Sequence, residues 1–167
     1  MADAKLTAKT ALTALALTDY VYVVDVSDTT DGGAGTSKKI LISDVQKAFV
    51  IEREYAISDE LTALTAGAGK LTFRMPHGMT LTGVRASVKT APTGATIIVD
   101  INEGGSTILS TKLSIDATEK TSTTAASAAV ISDATLADDA EITVDIDQVG
   151  STIAGVGLKI VLIGTRT

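Results

Sequence analysis

The chain contains no cysteine and no tryptophan, and aromatic residues make up only 3% of its 167 residues. The absence of cysteine excludes disulfide bonds and thiolate metal sites. Because so few aromatic rings are present, the core has to be built from Val, Ile, Leu and Ala, and aromatic platforms for sugars or bases are disfavoured. Stability is therefore expected to come from aliphatic packing or from assembly.

Basic residues and long apolar runs are also scarce. The chain has 14 Lys and Arg against 20 Asp and Glu, a net charge of −6, and its largest basic cluster is Lys38–Lys39. Nucleic acid is not an expected partner, because binding to phosphates requires a basic face. No run of about 18 apolar residues occurs, so no transmembrane helix and no membrane partner are predicted. Threonine repeatedly interrupts the mildly apolar N-terminus, which argues against a secretory signal and for a protein that is made and kept in the cytosol, or leaves it without secretion.

Motifs of known catalytic and nucleotide-binding sites are missing as well. There is no G-x-S-x-G nucleophile elbow, and the GGAG and GAG stretches lack the Lys and Ser/Thr of a phosphate loop. Asp25, Asp28 and Asp31 are spaced by three residues, whereas an EF-hand needs a spacing of two. The single histidine, His77, stands in the turn-like stretch RMPHGM without a second ligand beside it. We predict a protein that is not an enzyme and that uses no cofactor or metal.

One acidic stretch, DDAEITVDID, invites a chemical hypothesis. Strand alternation places Glu141, Thr143, Asp145 and Asp147 on one face, with the last two roughly 6.5–7 Å apart. That separation lies in the range used by inverting glycosidases. A hydrated outer face is the favoured interpretation, because a sugar cleft usually offers aromatic surface. A glycosidase, and a calcium site shared with Asp138–Asp139, remain alternatives.

Three zones follow one another along the chain. Residues 1–18 are rich in Leu, Ala and Thr, and their loose leucine stripe indicates a partly ordered arm rather than a fixed helix. Residues 19–51 have the pattern of a miniature β unit, in which Tyr20, Tyr22 and Val24 alternate with Val21, Val23 and Asp25. A Gly- and Thr-rich loop and a return strand at Lys38–Ile42 follow, and Ser43 has the capping-box spacing for a helix that begins at Asp44. A unit this small cannot bury a core of its own.

Residues 52–167 read as a series of short strands with turn signals and no convincing helix between them. This pattern predicts an antiparallel β-sandwich. The inward phase moves from Met79 and Leu81 to Val84 across Gly83, which is typical of a β-bulge. Two strands joined by the turn EGG are expected, with Ile97, Val99 and Ile101 facing Leu109, Leu113 and Ile115.

The last strand is apolar on both faces. Val156, Leu158, Ile160 and Leu162 form one face, while Val161 and Ile163 make the other face apolar too. Antiparallel strands commonly leave one face wet. This strand is therefore predicted either to be central beneath a cover or to lie in a subunit interface, through Val161 and Ile163.

Two long stretches carry a resemblance to a known class of proteins. TALTALALTDYVYVVDVSD, continued by GTSKKILISDV, resembles the N-terminal attachment segments of tailed-bacteriophage virion proteins. MTLTGVRASVKTAPTGATIIVDINEGGSTILSTKLSID and ISDATLADDAEITVDIDQVGSTIAGVGLKI resemble the jelly-roll domains of phage decoration, head-fibre and tail-fibre proteins. Together these stretches cover nearly the whole chain.

The resemblance implies a homotrimer in which residues 19–51 attach to the phage particle and the jelly roll of residues 52–167 projects outward. The expected function is a capsid decoration, or cement, protein, assembled in the bacterial cytoplasm, located on the capsid surface and bound to the major capsid protein. The alternative is a tail-fibre adhesin that binds a host-surface receptor. The expected contacts to the particle are Leu12, Leu15, Leu17, Tyr20, Tyr22 and Val24.

Overall fold

The computed structural model describes residues 14–30 and 32–167 and divides the chain into two compact units, Met1–Ala48 and Phe49–Thr167. The first strand of the second unit begins at Val50. This strand starts two residues before residue 52, where the sandwich was predicted to begin.

The N-terminal unit is a β-hairpin followed by one short helix. Its elements are β1 (Tyr20–Asp25), β2 (Thr36–Leu41) and α1 (Ile42–Lys47). The strands pair antiparallel in an unbroken register from Tyr20 opposite Leu41 to Asp25 opposite Thr36. Alternating β-branched and aromatic residues favour this extended pairing, so the predicted strand–loop–strand–helix order is found.

The predicted capping box at the helix start was wrong. The helix begins at Ile42 rather than Asp44, and Leu41 stands at the N-cap without a side-chain cap hydrogen bond. The first helical amides instead find backbone partners, because Ile42 N–H donates to Asp19 O at 2.9 Å and Ser43 N–H donates to Leu17 O at 3.2 Å. These bonds supply what a cap side chain would otherwise provide.

The second unit is made of strands and one 3₁₀ turn, Ser122–Thr124. Its strands are β3 (Val50–Ala56), β4 (Gly67–Arg74), β5 (Met79–Ser87), β6 (Ile97–Glu103), β7 (Ser106–Thr107), β8 (Leu109–Thr111), β9 (Leu113–Ile115), β10 (Val130–Ile131), β11 (Thr135–Leu136), β12 (Glu141–Gln148) and β13 (Lys159–Arg166).

Two antiparallel sheets form a sandwich. One sheet has the order β11-β5-β13-β3, and the other has the order β4-β12-β6, with β7 and β9 sharing the far edge of β6. For comparison with a jelly roll, the eight main strands are numbered one to eight in chain order: β3, β4, β5, β6, β9, β11, β12 and β13. The first sheet then has the order 6-3-8-1 and the second has the order 2-7-4-5. Successive strands mostly alternate between the two sheets, as in a jelly roll. The predicted all-β, antiparallel, jelly-roll-like sandwich is confirmed.

The core lies between the two sheets and is almost entirely aliphatic. The alternation expected from the sequence holds on the central strands, where Ile142, Val144 and Ile146 on β12 are buried between exposed or half-exposed neighbours. The predicted inward residues of β6 and the following segment are all buried: Ile97, Val99, Ile101, Leu109, Leu113 and Ile115. As expected from the few aromatic residues, the buried cluster consists of Ile, Leu, Val, Met and Ala side chains.

The predicted bulge in β5 is present. Gly83 pairs with Ile163 while Leu81 pairs with Gly164, so Thr82 is the additional residue on β5. The bulge lets Leu81 and Val84, three residues apart, both turn towards the core side. No described residue belongs to a helix long and apolar enough to span a membrane.

Candidate attachment surface

Strand β1 exposes apolar side chains on both of its faces. Tyr20, Tyr22 and Val24 lie on one face, and Tyr22 is 81% exposed. Val21 and Val23, on the opposite face, are 38% and 40% exposed. A hairpin that belonged to a complete domain would bury one of these faces, and neither is buried here.

The whole N-terminal unit lacks a core over its described residues. None of the residues from 14 to 48 that the structure describes is buried, and α1 has no buried residue. The sandwich unit, in contrast, contains 21 buried hydrophobic residues. An isolated two-stranded hairpin is marginally stable in water at best. The hairpin's apolar surface is therefore available to a partner.

The leucines before β1 are exposed beside a turn that is tied to the helix start. Leu15 and Leu17 are 65% and 56% exposed. Asp19 closes this turn, since its N–H donates to Ala16 O at 3.0 Å and its carboxylate accepts from Ala16 N–H at 2.8 Å. The structure thus places two of the three predicted leucines on the surface of this unit. Leu12 lies outside the described residues.

The hairpin loop holds an ion cluster centred on Lys38. The Lys38 ammonium lies 3.0 Å from Asp25 Oδ2 and 2.7 Å from Asp28 Oδ2. A hydrogen bond from the Ser27 hydroxyl, and next the bond from Lys38, hold the pKa of Asp25 well below its usual range. The pKa of Asp28 is also held well below its usual range. The hydrogen bond from Lys38 is the largest cause, and the bond from the Thr30 hydroxyl is the second.

The second lysine of β2 is also engaged within the hairpin. The Lys39 ammonium sits over the Tyr20 ring, 4.5 Å from its centroid, which is a cation–π contact. Charge on the hairpin is therefore concentrated at the loop end and on β2, where it has partners. Strand β1 from Tyr20 to Val24 carries no charged residue of its own, and the two lysines opposite it on β2, Lys38 and Lys39, are already engaged within the hairpin.

Val161 and Ile163 occupy the outward face of the central strand of a sheet. Strand β13 lies between β3 and β5, and the inward residues Ile160 and Leu162 are fully buried. Val161 and Ile163 point away from the core and are half-buried among their neighbours on the sheet. The strand is thus central in its sheet, and the predicted subunit interface through Val161 and Ile163 stays a prediction.

Along the acidic strand Glu141 and Asp147 are exposed and Thr143 and Asp145 are half-buried, as a hydrated outer face requires, and these side chains take part in a polar cluster. Asp145 accepts hydrogen bonds from Gly69 N–H at 2.6 Å and from Asn102 Nδ2 at 3.0 Å. Asp147 stands at a bulge and pairs with Lys112 at 2.5 Å. The two carboxylates proposed for a glycosidase are therefore both held by other protein groups. Glu141 is exposed, as expected, and pairs with Arg74 at 3.3 Å.

Two members of this cluster were missed at the sequence level. Asp100 is 5% exposed, and its carboxylate lies 2.9 Å from the Lys112 ammonium. It also accepts from the Thr107 hydroxyl at 2.6 Å and from the N–H of Ile101. The hydrogen bonds that Lys112 donates to Asp100 and then to Asp147 raise the pKa of Lys112. Only the register of β6 with its neighbours brings these groups together, so no local sequence signal marks them.

His77 is held in place by hydrogen bonds with two neighbouring protein groups. Its Nδ1 lies 3.0 Å from Gly78 O and its Nε2 lies 3.2 Å from an Arg53 guanidinium nitrogen. A carbonyl can only accept and a guanidinium can only donate, so Nδ1 carries the proton and Nε2 accepts. Both ring nitrogens are thereby used. Among the described residues, no group of three or more His, Asp or Glu side chains is placed to hold a metal ion.

Comparison of the chain with protein-family models, with curated proteins and with solved structures finds no match in any of the three.

Proposed function

We propose that this chain is a structural protein of a tailed-phage particle, a capsid decoration protein that attaches as a homotrimer through its N-terminal unit. The observation that carries the proposal is the apolar strand β1, exposed on both faces in a unit whose described residues include none that is buried. Such a unit gains its stability only from what it contacts. The resemblance of the sequence to phage attachment segments supports the particle and other copies of the chain as that contact.

The exposed apolar surface is large enough for a specific interface. Applying the exposed fractions of Leu15, Leu17, Val26 and the apolar residues of β1 to residue areas of about 150–250 Å² gives on the order of 900 Å². Stable protein interfaces bury about 800 Å² per partner. Full burial of one such side chain is favourable by about 1.5–3 kcal/mol. A few of these side chains are enough to hold one hairpin in place.

The backbone of the hairpin offers a second source of binding energy. The hairpin is a two-stranded sheet, so both β1 and β2 are edge strands with one row of backbone groups not used in the β1–β2 ladder. A partner strand can pair with such an edge by strand addition. Three hairpins on one trimer would also raise the effective concentration of each contact, so each of them can be weak alone.

The test is binding of the purified full-length chain to particles from which it has been removed. Tyr22→Ser and Val24→Ser each remove apolar surface from β1 without touching the sandwich. At 1.5–3 kcal/mol per side chain we expect roughly a tenfold or greater loss of particle binding for each variant. Leu61→Ser is the matched control, because Leu61 is 87% exposed but belongs to the sandwich unit.

Equal binding of the β1 variants and the wild type would overturn attachment through the hairpin. The position of bound protein is measured separately, by gold labelling of intact particles. Label over the head supports decoration of the capsid. Label confined to the tail would overturn that assignment in favour of the adhesin.

A further inference from the structure

The sheet β11-β5-β13-β3 has an outward face with an ordered pattern of charge. Residues directly opposite each other in an antiparallel ladder share a face. Val161 on β13 therefore stands in one row between Glu54 on β3 and Arg85 on β5. In the next row Ile163 stands between Glu52 and Gly83. We call these residues the sheet face: an apolar centre, an acidic column on one side and a cation on the other.

Three charged residues of the sheet face form no ion pair with any described residue of the chain, whereas Lys159, on the same face of β13, is paired with Glu60 and also attracts Glu54. Among the described residues, no ion pair includes Glu52, Glu54 or Arg85. Glu54 and Arg85 are two strand spacings apart, about 9.6 Å between backbones, and they form no ion pair with each other across Val161. All three side chains are exposed. The face thus presents opposite charges on either side of an apolar strip.

We propose that two copies of this chain pair through the sheet face, about a two-fold axis that runs parallel to β13 between them. Rotation about that axis places β13 over its counterpart and β3 over the partner's β5. Val161 and Ile163 then meet the same side chains of the second copy. Glu54 meets the partner's Arg85, and by symmetry this contact occurs twice.

Charge favours this orientation over the other face-to-face arrangement, with one opposing contact. Lys159 would meet its counterpart across the axis, where the ion pair of each lysine with Glu60 offsets its charge. An axis lying across the strands would place β3 over the partner's β3, so Glu52 and Glu54 would meet like charges, which is destabilising. In the parallel-axis arrangement Glu52 lies over Gly83 of its partner's sheet, where the absence of a side chain leaves room for it. Aligned packing of two sheets with a twist near 30° is a common geometry for β-sheets.

The contact is small and joins copies in pairs. A face of four strands and about eight residues covers roughly 19 by 26 Å, or about 500 Å² per copy, at the low end of specific interfaces. We therefore expect a dissociation constant on the order of 10–100 µM. A two-fold contact cannot close a ring of three, so Val161 and Ile163 would join one trimer to the next rather than form the trimer itself.

The test is sedimentation velocity of the full-length chain and of charge-reversal variants. Association between copies is measured at protein concentrations from about 1 µM to about 1 mM. Glu54→Arg and Arg85→Glu each place like charges opposite one another at both symmetric contacts, and each should weaken the concentration-dependent association at least tenfold. The double variant Glu54→Arg/Arg85→Glu restores opposite charges and should recover association to within about threefold of the wild type.

Two control variants match the change in net charge without touching the sheet face. Asp138→Arg matches Glu54→Arg, and Lys120→Glu matches Arg85→Glu; both positions are exposed. Neither control should alter the association. The proposal is overturned if the wild type shows no association beyond its smallest species, or if the double variant associates no better than the single ones. Circular dichroism and melting curves verify that each variant is folded. Particle binding of the same variants is scored separately, so a failure of this pairing is distinguishable from a failure of attachment.

Discussion

Asp100 on β6 lies directly opposite Asp145 on β12, so two carboxylates of like charge are neighbours across one ladder. Such a pair is destabilising unless other groups hold each carboxylate. Lys112 lies 2.9 Å from Asp100, and the Gly69 amide and the Asn102 side chain donate to Asp145. The balance of charge at the centre of this sheet therefore depends on one lysine.

Replacing Lys112 by methionine removes the only ammonium within 4 Å of Asp100 among the described residues. Asp100 is buried, so its carboxylate would be left without a cation beside Asp145. Loss of one partner of a buried pair costs about 3–5 kcal/mol, and because the Lys112 side chain is 40% exposed we expect roughly 1–3 kcal/mol. Urea unfolding measures the free-energy difference. Asp100→Asn in the Lys112→Met background should regain part of the loss, and a neutral Lys112→Met would contradict the prediction.

The same lysine gives a prediction about alkaline pH. Its pKa is raised in the folded state, first by the hydrogen bond to Asp100. A raised folded pKa means that stability from the charged lysine is complete below its unfolded pKa of about 10.4 and declines only as the pH rises through the higher folded value. The stability difference between wild type and Lys112→Met should thus be constant from about pH 7 to pH 10. A difference that shrinks over this window would be inconsistent with the pairing.

The loop carboxylates report whether the hairpin is formed in the free chain. The pKa values of Asp25 and Asp28 are both held well below the usual range, so their contribution is present above the unfolded pKa of about 3.9 and is lost as the pH falls through the folded values. Carboxyl carbon shifts measured by NMR should titrate below the range of free aspartate. Lys38→Met should return Asp28 further towards that range than Asp25, because the largest cause for Asp25 is the Ser27 hydroxyl. Ordinary titration of both residues in the wild type would show that the hairpin forms only on binding.

Local patterns were enough to predict the sandwich and its exposed hairpin. The period-two alternation in ATIIVDIN and AEITVDID fixes which side chains are buried, and Gly83 marks the bulge because the inward phase changes there. Pairings between distant segments were not predictable in this way. Asp100 and Lys112 meet through the register of separate strands, and the helix start depends on the carbonyls of Leu17 and Asp19 rather than on a nearby cap residue. Local signals therefore predict strands and faces, whereas contacts that combine strands require the three-dimensional structure.

The division of labour between the two units predicts the result of a truncation. The sandwich contains all 21 hydrophobic residues that are buried in the described part of the chain, and the extensive ladders around β12 and β13. A chain that lacks residues 1–48 should therefore be soluble and melt cooperatively, within a few degrees of the full-length protein. It should not bind particles. Unchanged stoichiometry of binding by the truncated chain would show that attachment does not depend on the N-terminal unit.

Two glycines beside the β5 bulge should respond differently to the addition of a single methyl group. A Cβ at Gly164 would lie 2.2 Å from the carbonyl oxygen of Thr80 and 2.9 Å from Met79 Cε, so the backbone of β5 would have to move. A Cβ at Gly83 would approach no atom closer than Ile163 Cδ1, at 3.7 Å, which is an ordinary contact. Overpacking of a tight core site costs about 1–3 kcal/mol and occasionally more.

We therefore expect Gly164→Ala to lower the free energy of unfolding by roughly 2–4 kcal/mol, or to prevent folding, and Gly83→Ala to change it by less than about 1 kcal/mol. Urea unfolding of the two variants beside the wild type provides the measurement, with Gly83→Ala as the matched control on the paired strand. Because Gly83 pairs with Ile163 and Gly164 pairs with Leu81, the comparison tests the register of β5 on β13 directly. Equal costs for the two substitutions would mean that the bulge lies at another position.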